Sequence, residues 1–287
     1  MVHREILVTG ASGNAGAEVV RLLAQSGAPI RAATRTGALP PDAIHDGLVK
    51  PVAFDFMEPA TWRDALDGVS RIFLVRPPAI SDVKHNINPM IDVAKSMGVE
   101  QIVLLSLLGA EKIPVVPHRK IELHIEKSGI PHTFLRASFF MQNLSTTHLE
   151  EIRDHNEIAV PAGKGKTSFI DVRDIAAVAA QALTGPINTG IAYDLTGSEA
   201  LGYDEVARLL TASLGRQITY TDPNPIAFAR RMKRIGHPMG FAIVTTAIYL
   251  TARFGKADTV TPVTGELLGR PPITMRQFID DYRDVWL

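Results

Sequence analysis

The 287-residue sequence predicts a doubly wound, parallel α/β sheet followed by a smaller, mainly helical part. Two observations carry that expectation. Short apolar runs of strand length alternate with amphipathic stretches of helix length through the first half of the chain. Several of those runs have a continuous apolar centre instead of alternating with polar residues, "IFLV" of "SRIFLV" and "IVLL" of "EQIVLLS" above all. Strands have that character when helices cover both faces of a parallel sheet.

Taken in order, "EILVTG" reads as a strand and "AGAEVVRLLAQSG" as a helix, with Val19, Val20, Leu22 and Leu23 on its apolar face. Gly27 stands where a helix-ending glycine belongs. "PIRAATR" and "VKPVAFDF" read as strands, and "EPATWRDALDG" as a helix opening near Pro59. "SRIFLVRPP" and "EQIVLLSLLG" are strands on either side of the helix "NPMIDVAKSMG". The helix "HRKIELHIEKSG" and the strand "HTFLRA" follow. Beyond Phe139 the rhythm loosens: "TSFIDVRDIAAVAAQALT" is a short strand and then a helix capped by Asp174, "AYDLTG" a strand, and "GYDEVARLLTASLG" a helix. The remainder is helical with proline-rich breaks. The expected boundaries are a nucleotide domain over 1–144, with segments around 167–197 returning to it, and a substrate-binding cap over 145–287.

The first turn carries a specific chemistry. In "ILVTGASGNAG" three glycines recur at intervals of three: Gly10 for a sharp turn, Gly13 for close approach of backbone to a pyrophosphate, Gly16 for tight helix packing. The helix that follows offers unpaired N–H groups, including that of Ala15, to an anion, and Ser12 and Asn14 add side-chain donors. This order of strand, glycine triplet and helix points to a Rossmann-type dinucleotide site, with a purely structural turn as the alternative. An NAD site usually places a carboxylate at the end of the second strand; here Thr34 and Arg35 stand there, with no carboxylate until Asp42. Arg35 suits a 2′-phosphate, so NADP(H) is expected over NAD(H); a solvated surface arginine is the other reading.

Composition excludes several classes. Thirty basic residues balance thirty acidic ones, which gives no electrostatic footprint for nucleic acid or an anionic membrane. Without cysteine there is no thiol nucleophile and no cysteine metal site. The first apolar run starts too early for a signal peptide, and "FAIVTTAIYLTARF" (Phe241–Phe254) is short for a bilayer span and reads as a core helix, with a pocket wall or dimer face as the alternative. A cytoplasmic protein with a small-molecule substrate is expected, with no nucleic-acid or membrane partner and a homodimer left open.

"ILVTGASGNAG", "FDF" (Phe54–Phe56), "FLVRPP" (Phe73–Pro78), "HRKIE", "SGIPHTFLRASFFMQN" and "FIDVRDIA" together resemble the NmrA-like group of atypical short-chain dehydrogenases. The resemblance spans nearly the whole chain. It implies NADP(H) in a cleft and a small substrate under a helical cap. It implies no single reaction, because the group holds dye, quinone and ergot-alkaloid-pathway reductases alongside redox sensors that bind cofactor without turnover. It places Asp55 and Phe56 at the adenine, and Val75, Arg76 and Pro77 along the nicotinamide ribose. Ala137, Ser138, Phe139 and Phe140 then pass over the nicotinamide, and Phe140, Met141 and Asn143 meet substrate. Core packing is the competing reading of the Phe-Phe-Met run.

Short-chain dehydrogenases usually protonate the developing alkoxide with the tyrosine of a Tyr-x-x-x-Lys helix, and no tyrosine in this sequence is followed four residues later by lysine. In the corresponding helix stand His118 and Glu122, which share a face at helical spacing. His118 is a candidate general acid, with Glu122 expected to raise its pKa. Ser106, at the end of a strand, is a second candidate for polarising a carbonyl. No metal site is expected from His118, Glu122 and His124. "AGKGKTSF" lacks the first glycine of a P-loop, and "RRMKR" (Arg230–Arg234) reads as a solvated basic helix face. The expectation is an NADPH-dependent reductase of a small aromatic or conjugated acceptor such as a quinone, imine or dye. A non-catalytic NADP(H) sensor, or a natural-product enzyme of oxygenation or cyclisation, are the alternatives.

Overall fold

The computed structural model describes residues 5–39, 47–187, 189–236 and 238–287, so Asp42 lies outside the described residues. From the N-terminal side the chain runs through β1 (Glu5–Val8), α1 (Asn14–Gln25), β2 (Ile30–Thr34), β3 (Val49–Ala53), α2 (Trp62–Leu66) and β4 (Val69–Val75). It continues through α3 (Val83–Asn86), α4 (Asn88–Ser96), β5 (Gln101–Leu107), α5 (Pro117–Ser128) and β6 (His132–Ala137). Then come β7 (Phe139–Phe140), α6 (Leu149–His155), β8 (Glu157–Ala159), β9 (Lys166–Ile170), α7 (Val172–Thr184), β10 (Ile191–Leu195), β11 (Ala200–Gly202), α8 (Tyr203–Leu214) and β12 (Thr219–Thr221). The last helices are α9 (Pro225–Arg234), α10 (Met239–Arg253), α11 (Val263–Leu268) and α12 (Met275–Asp281). These elements group into two compact units, residues 1–137 with 172–195, and residues 138–171 with 196–287.

In the first unit, among the described residues, seven parallel strands lie in the order β10-β6-β5-β4-β1-β2-β3. The order reverses between β1 and β4, where the connections leave in opposite directions along the sheet; ligands of open α/β sheets bind at such a point, beyond the strand C-termini. Helices α2, α4 and α5 close one apolar layer with Leu7, Ile72, Leu74, Ile102, Leu104 and Phe134. Helices α1 and α7 pack on each other over the opposite face. Each fully buried Leu or Ile contributes roughly 1.5–3 kcal/mol of transfer free energy, which is why the continuous apolar strands commit to the centre. Helix α1 ends as its sequence requires: Gly27 adopts φ +76°, and the Ala28 N–H reaches the Leu23 carbonyl at 3.1 Å. Helix α7 departs from expectation. It begins at Val172, so Asp174 is buried inside its first turn and not at its cap, still on the end where a carboxylate complements the helix dipole.

The second unit holds a small sheet in the order β11-β9-β7, with β7 parallel and β11 antiparallel to β9, and a separate parallel pair of β8 and β12. Its core gathers Trp286, Tyr203, Phe228 and Phe278, all fully buried. The "AGKGKTSF" segment is a turn into β9. A Cβ on Gly165 would lie 1.9 Å from the Ala252 carbonyl oxygen, so this glycine serves close packing on α10. The apolar stretch Phe241–Phe254 corrects the core-helix expectation. Ala242, Thr246, Tyr249 and Ala252 of α10 are buried, but Ile243 and Val244 are each 58% exposed and Phe254 is 69% exposed. Uniform hydropathy along this stretch conceals that only one face has a packing partner. No helix among the described residues is long and apolar enough to cross a membrane.

Candidate functional site

At the end of β1 the chain turns through Gly10, at φ +63°, and the Gly13 N–H closes the turn on the Gly10 carbonyl at 2.9 Å. A Cβ on Gly16 would fall 2.1 Å from that same carbonyl oxygen and 2.6 Å from its carbon, so α1 reaches the turn only because residue 16 has no side chain. Gly13 is the N-cap of α1, and a Cβ there would meet only the Gly10 oxygen, at 3.4 Å, with no other atom within 4 Å. No side chain caps this helix. The N–H groups of Asn14, Ala15 and Gly16 therefore open onto the space in front of the turn. Ser12, Gly13 and Asn14 are exposed there. A pyrophosphate suits this cradle: it needs unpaired N–H donors, the positive end of a helix and room for backbone contact.

Neighbouring strand ends are tied to the turn. The Thr9 hydroxyl donates to the Phe73 carbonyl at 3.1 Å and accepts the Val75 N–H at 2.8 Å, fixing the C-terminal end of β4 against that of β1. Thr9 was not singled out in the sequence, where a threonine in a strand carries no signal of this kind. Arg35 follows β2 directly and is exposed, with no ion pair among the described residues. Asp55 Oδ1 accepts the Met57 N–H at 2.9 Å, and the Asp55 carbonyl accepts Trp62 Nε1–H at 2.8 Å, so this residue shapes the loop after β3. The Phe56 ring corrects its expectation. It is buried against Phe54 in the core, 4.8 Å between centroids, and leaves only its backbone for a ligand. The Arg76 guanidinium folds onto its own loop, Nη1 donating to the carbonyls of Pro77, Pro78 and Ile80 at 2.9, 3.1 and 2.8 Å. Its Nε is buried without a hydrogen-bond partner among the described residues, and burial lowers its pKa.

The two candidate acids are not available as expected. Glu122 is fully buried at the centre of a charged network. Arg136 grips it with Nε and Nη2 at 3.0 and 2.9 Å, Arg119 Nη1 donates at 2.9 Å, and the Ser106 hydroxyl donates to Oε1 at 2.7 Å. Arg136 also pairs with Glu111 at 3.1 Å. Burial pulls Glu122 upward, and the hydrogen bonds from Arg136, Ser106 and Arg119 outweigh it, holding the carboxylate below its ordinary range. The Ser106 proton is thus spent on a carboxylate and cannot polarise a substrate carbonyl. For His118, burial and the Arg76 charge push the imidazole down to about 4, against a weaker upward pull from Glu122. The expected rise is reversed, and His118 is neutral at pH 7. The missed partner was Arg136, whose signal lay in "HTFLRA": a cation in an otherwise buried strand demands an anion nearby. His124 Nε2 pairs with Asp92 at 2.8 Å, so it does not converge with His118 and Glu122.

Ala137 ends β6, and Ser138 follows with its hydroxyl buried and without a partner among the described residues. Phe139 is half-buried and packs against the core of the second unit, its ring 5.5 Å from that of Tyr249 and 6.3 Å from that of Phe169. Met141 is 2% exposed in the same core. Core packing therefore accounts for Met141, and Phe139, Phe140 and Asn143 remain half-buried. The second unit also holds a buried polar trio that sequence reading missed. His148 Nδ1 bonds Glu151 at 2.9 Å and its Nε2 bonds the Tyr249 hydroxyl, a pairing of residues 101 positions apart. Burial raises the Tyr249 pKa well above its ordinary value.

The NmrA-like family model matches residues 3–276. An NAD(P)H azoreductase of Xenophilus azovorans is 37% identical over 281 residues, covering 95% of this chain and 96% of the relative. An agroclavine dehydrogenase of Claviceps fusiformis is 32% identical over 293 residues, covering 98% of each. Among solved structures, an NADPH-dependent quinone oxidoreductase of Escherichia coli complexed with NADPH superposes with a TM-score of 0.82 at 25% identity, covering 97% of this chain and 99% of that one. With most of its length matched by the family model and by relatives above 30% identity, the chain belongs to the NmrA-like family.

Proposed function

We propose that the protein is an NAD(P)H-dependent oxidoreductase that passes hydride to a small conjugated acceptor of the azo, quinone, imine or cationic-dye kind. The glycine turn carries this reading, because Gly16 lets α1 present uncapped N–H groups where Gly13 leaves room for a phosphate. The names of the azoreductase and quinone oxidoreductase relatives support the acceptor class. The cofactor, when bound, supplies the hydride.

The chain's own residues then divide the work. The N–H groups of Asn14, Ala15 and Gly16, with the side chains of Ser12 and Asn14, hold the pyrophosphate. Arg35 takes the 2′-phosphate and favours NADP(H) over NAD(H). Asp55 and the Phe56 backbone border the adenine. Val75, Arg76 and Pro77 line the nicotinamide ribose, and Ala137 at the end of β6 borders the nicotinamide. The orphaned Arg76 Nε fits such a neighbour, since a buried donor without an acceptor costs about 1–3 kcal/mol. Phe140 and Asn143 are the side chains assigned to the acceptor.

With Ser106 bonded to Glu122 and His118 neutral, neither group delivers a proton at pH 7. The proton comes from water, which suits best the acceptors whose reduced form is a weak base or needs no proton: a quinone giving a phenolate, or a cationic dye or protonated imine giving a neutral product; an azo bond takes its proton from water as the hydride arrives. A simple ketone, which would form a strongly basic alkoxide, is disfavoured. The test follows NADPH absorbance with an azo dye, a quinone, a cationic triarylmethane dye and an aliphatic ketone. Turnover is expected with the conjugated acceptors and not with the ketone. Cofactor binding without turnover on any of them would point to the sensing alternative, and failure to bind either nicotinamide cofactor would overturn both.

A further inference from the structure

Formal charge is balanced over the whole chain, yet it is sharply segregated in the second unit. Between Asp222 and Asp258 the sequence has no acidic residue and six cations: Arg230, Arg231, Lys233, Arg234, Arg253 and Lys256. Two of these are neutralised from outside the stretch, Arg231 by Glu157 at 2.6 Å and Arg253 by Asp222 at 2.8 Å. Arg230, Lys233 and Arg234 are exposed on α9 with no ion pair among the described residues. Phe228 and Met232 anchor the opposite face of that helix in the core.

The apolar residues beside these cations are exposed as well. Ile226 at the start of α9 is 62% exposed and Ile235 at its end 43%. On α10, which packs against α9, Met239, Ile243 and Val244 are exposed on the outer face and Phe254 closes it at 69%. Over 15 residues that face extends roughly 22 Å at 1.5 Å per residue. Large aliphatic side chains and unpaired cations thus occur together on two successive, mutually packed helices. A helix surface that combines exposed apolar side chains with lysine and arginine binds at the boundary between lipid headgroups and acyl chains.

We propose that the α9–α10 helix pair docks the protein on an anionic lipid surface, with Arg230, Lys233 and Arg234 at the phosphates and Ile235, Met239, Ile243 and Val244 in the outer acyl region. A second copy of the chain is the poorer occupant. A two-fold interface brings the same patch against itself, and Arg230, Lys233 and Arg234 would then face their own copies, with the exposed Glu150, which shares a groove with Arg234 and Ile235, offsetting only part of three cations in each copy. The proposal is independent of the reduction chemistry.

The test is co-sedimentation of the full-length protein with phosphatidylcholine vesicles, and with vesicles in which about a third of the lipid is phosphatidylglycerol. Binding to the anionic vesicles is expected, released by high salt, with little binding to the neutral ones. At about fivefold in affinity per cation near the surface, the triple variant Arg230→Ala, Lys233→Ala, Arg234→Ala loses on the order of 100-fold. The double variant Ile243→Ser, Val244→Ser weakens binding and leaves its salt dependence in place. All five positions are exposed, and an unchanged far-UV circular dichroism spectrum shows that each variant is folded. Equal binding to both vesicle types, or binding to neither, overturns the proposal. So does a dimer in sedimentation velocity that either variant dissociates, or salt-sensitive capture on polyaspartate without any on vesicles, which would assign the face to a second copy or to an acidic polypeptide.

Discussion

Single residues settle the acid–base behaviour of this protein, and they do so through partners rather than through type. His118 and Glu122 share a helical face, yet Glu122 is held by two arginines and a serine, while burial and Arg76 govern His118. The His118 imidazole titrates at about 4 in the native state against 6.5 for an ordinary histidine, so between those values the unfolded chain binds more protons. Its stabilising contribution is complete above pH 6.5 and is lost as pH falls towards 4, amounting to about 3 kcal/mol. In urea unfolding followed from neutral pH down to about pH 4.5, His118→Gln should show a correspondingly smaller loss than the parent; an identical loss would mean the histidine is not held neutral. At the cofactor, Arg35→Glu should weaken NADPH about 10- to 100-fold, as expected for one charge-assisted contact of about 1.5–3 kcal/mol. NADH affinity should change far less, and titration showing equal losses would remove the 2′-phosphate assignment.

Elements obey a different constraint, that of backbone fit. The loop from β1 to α1 is closed by contact between Gly16 and the Gly10 carbonyl, where the obstacle to any side chain is backbone and cannot swing aside. Gly16→Ala should therefore displace the start of α1, cost about 1–3 kcal/mol as overpacking does, and lower NADPH affinity. Gly27→Ala is the matched control at the other end of the helix. It has nothing within 4 Å, so its only penalty is the left-handed backbone, about 1–2 kcal/mol, with cofactor affinity unchanged. Equal effects of both substitutions on cofactor titration would show that the turn does not form the binding site. Helix α10 shows where element-level reading stops short. Its hydropathy is high all round, and nothing in the residue pattern distinguishes the buried face of Ala242, Thr246, Tyr249 and Ala252 from the exposed face of Ile243 and Val244.

At the scale of the molecule the chain builds two cores, and the second is completed by its final residues. Trp286 is fully buried, its indole N–H donates to the Leu144 carbonyl at 3.1 Å, and its ring lies 5.9 Å from that of Phe278. Trp286→Ala should cost about 3–5 kcal/mol. Hydrogen exchange should then quicken in α6, α8 and α12 of the second unit well before β4 and β5 of the first. Uniform acceleration across both would show that the two cores unfold as one.

By itself the sequence determined the parallel sheet, the glycine turn and the family resemblance, because these rest on local signals: continuous apolar runs, fixed spacing of glycines, and strand and helix in order along the chain. Ser12, Gly13 and Asn14 could be placed on that turn for the same reason. Only the tertiary structure decided that Ser106 serves Glu122, that Met141 is core, and that His148 meets Tyr249. Those outcomes depend on which partner arrives from elsewhere in the chain. A buried polar group takes its chemistry from that partner, and spacing along the chain does not encode it.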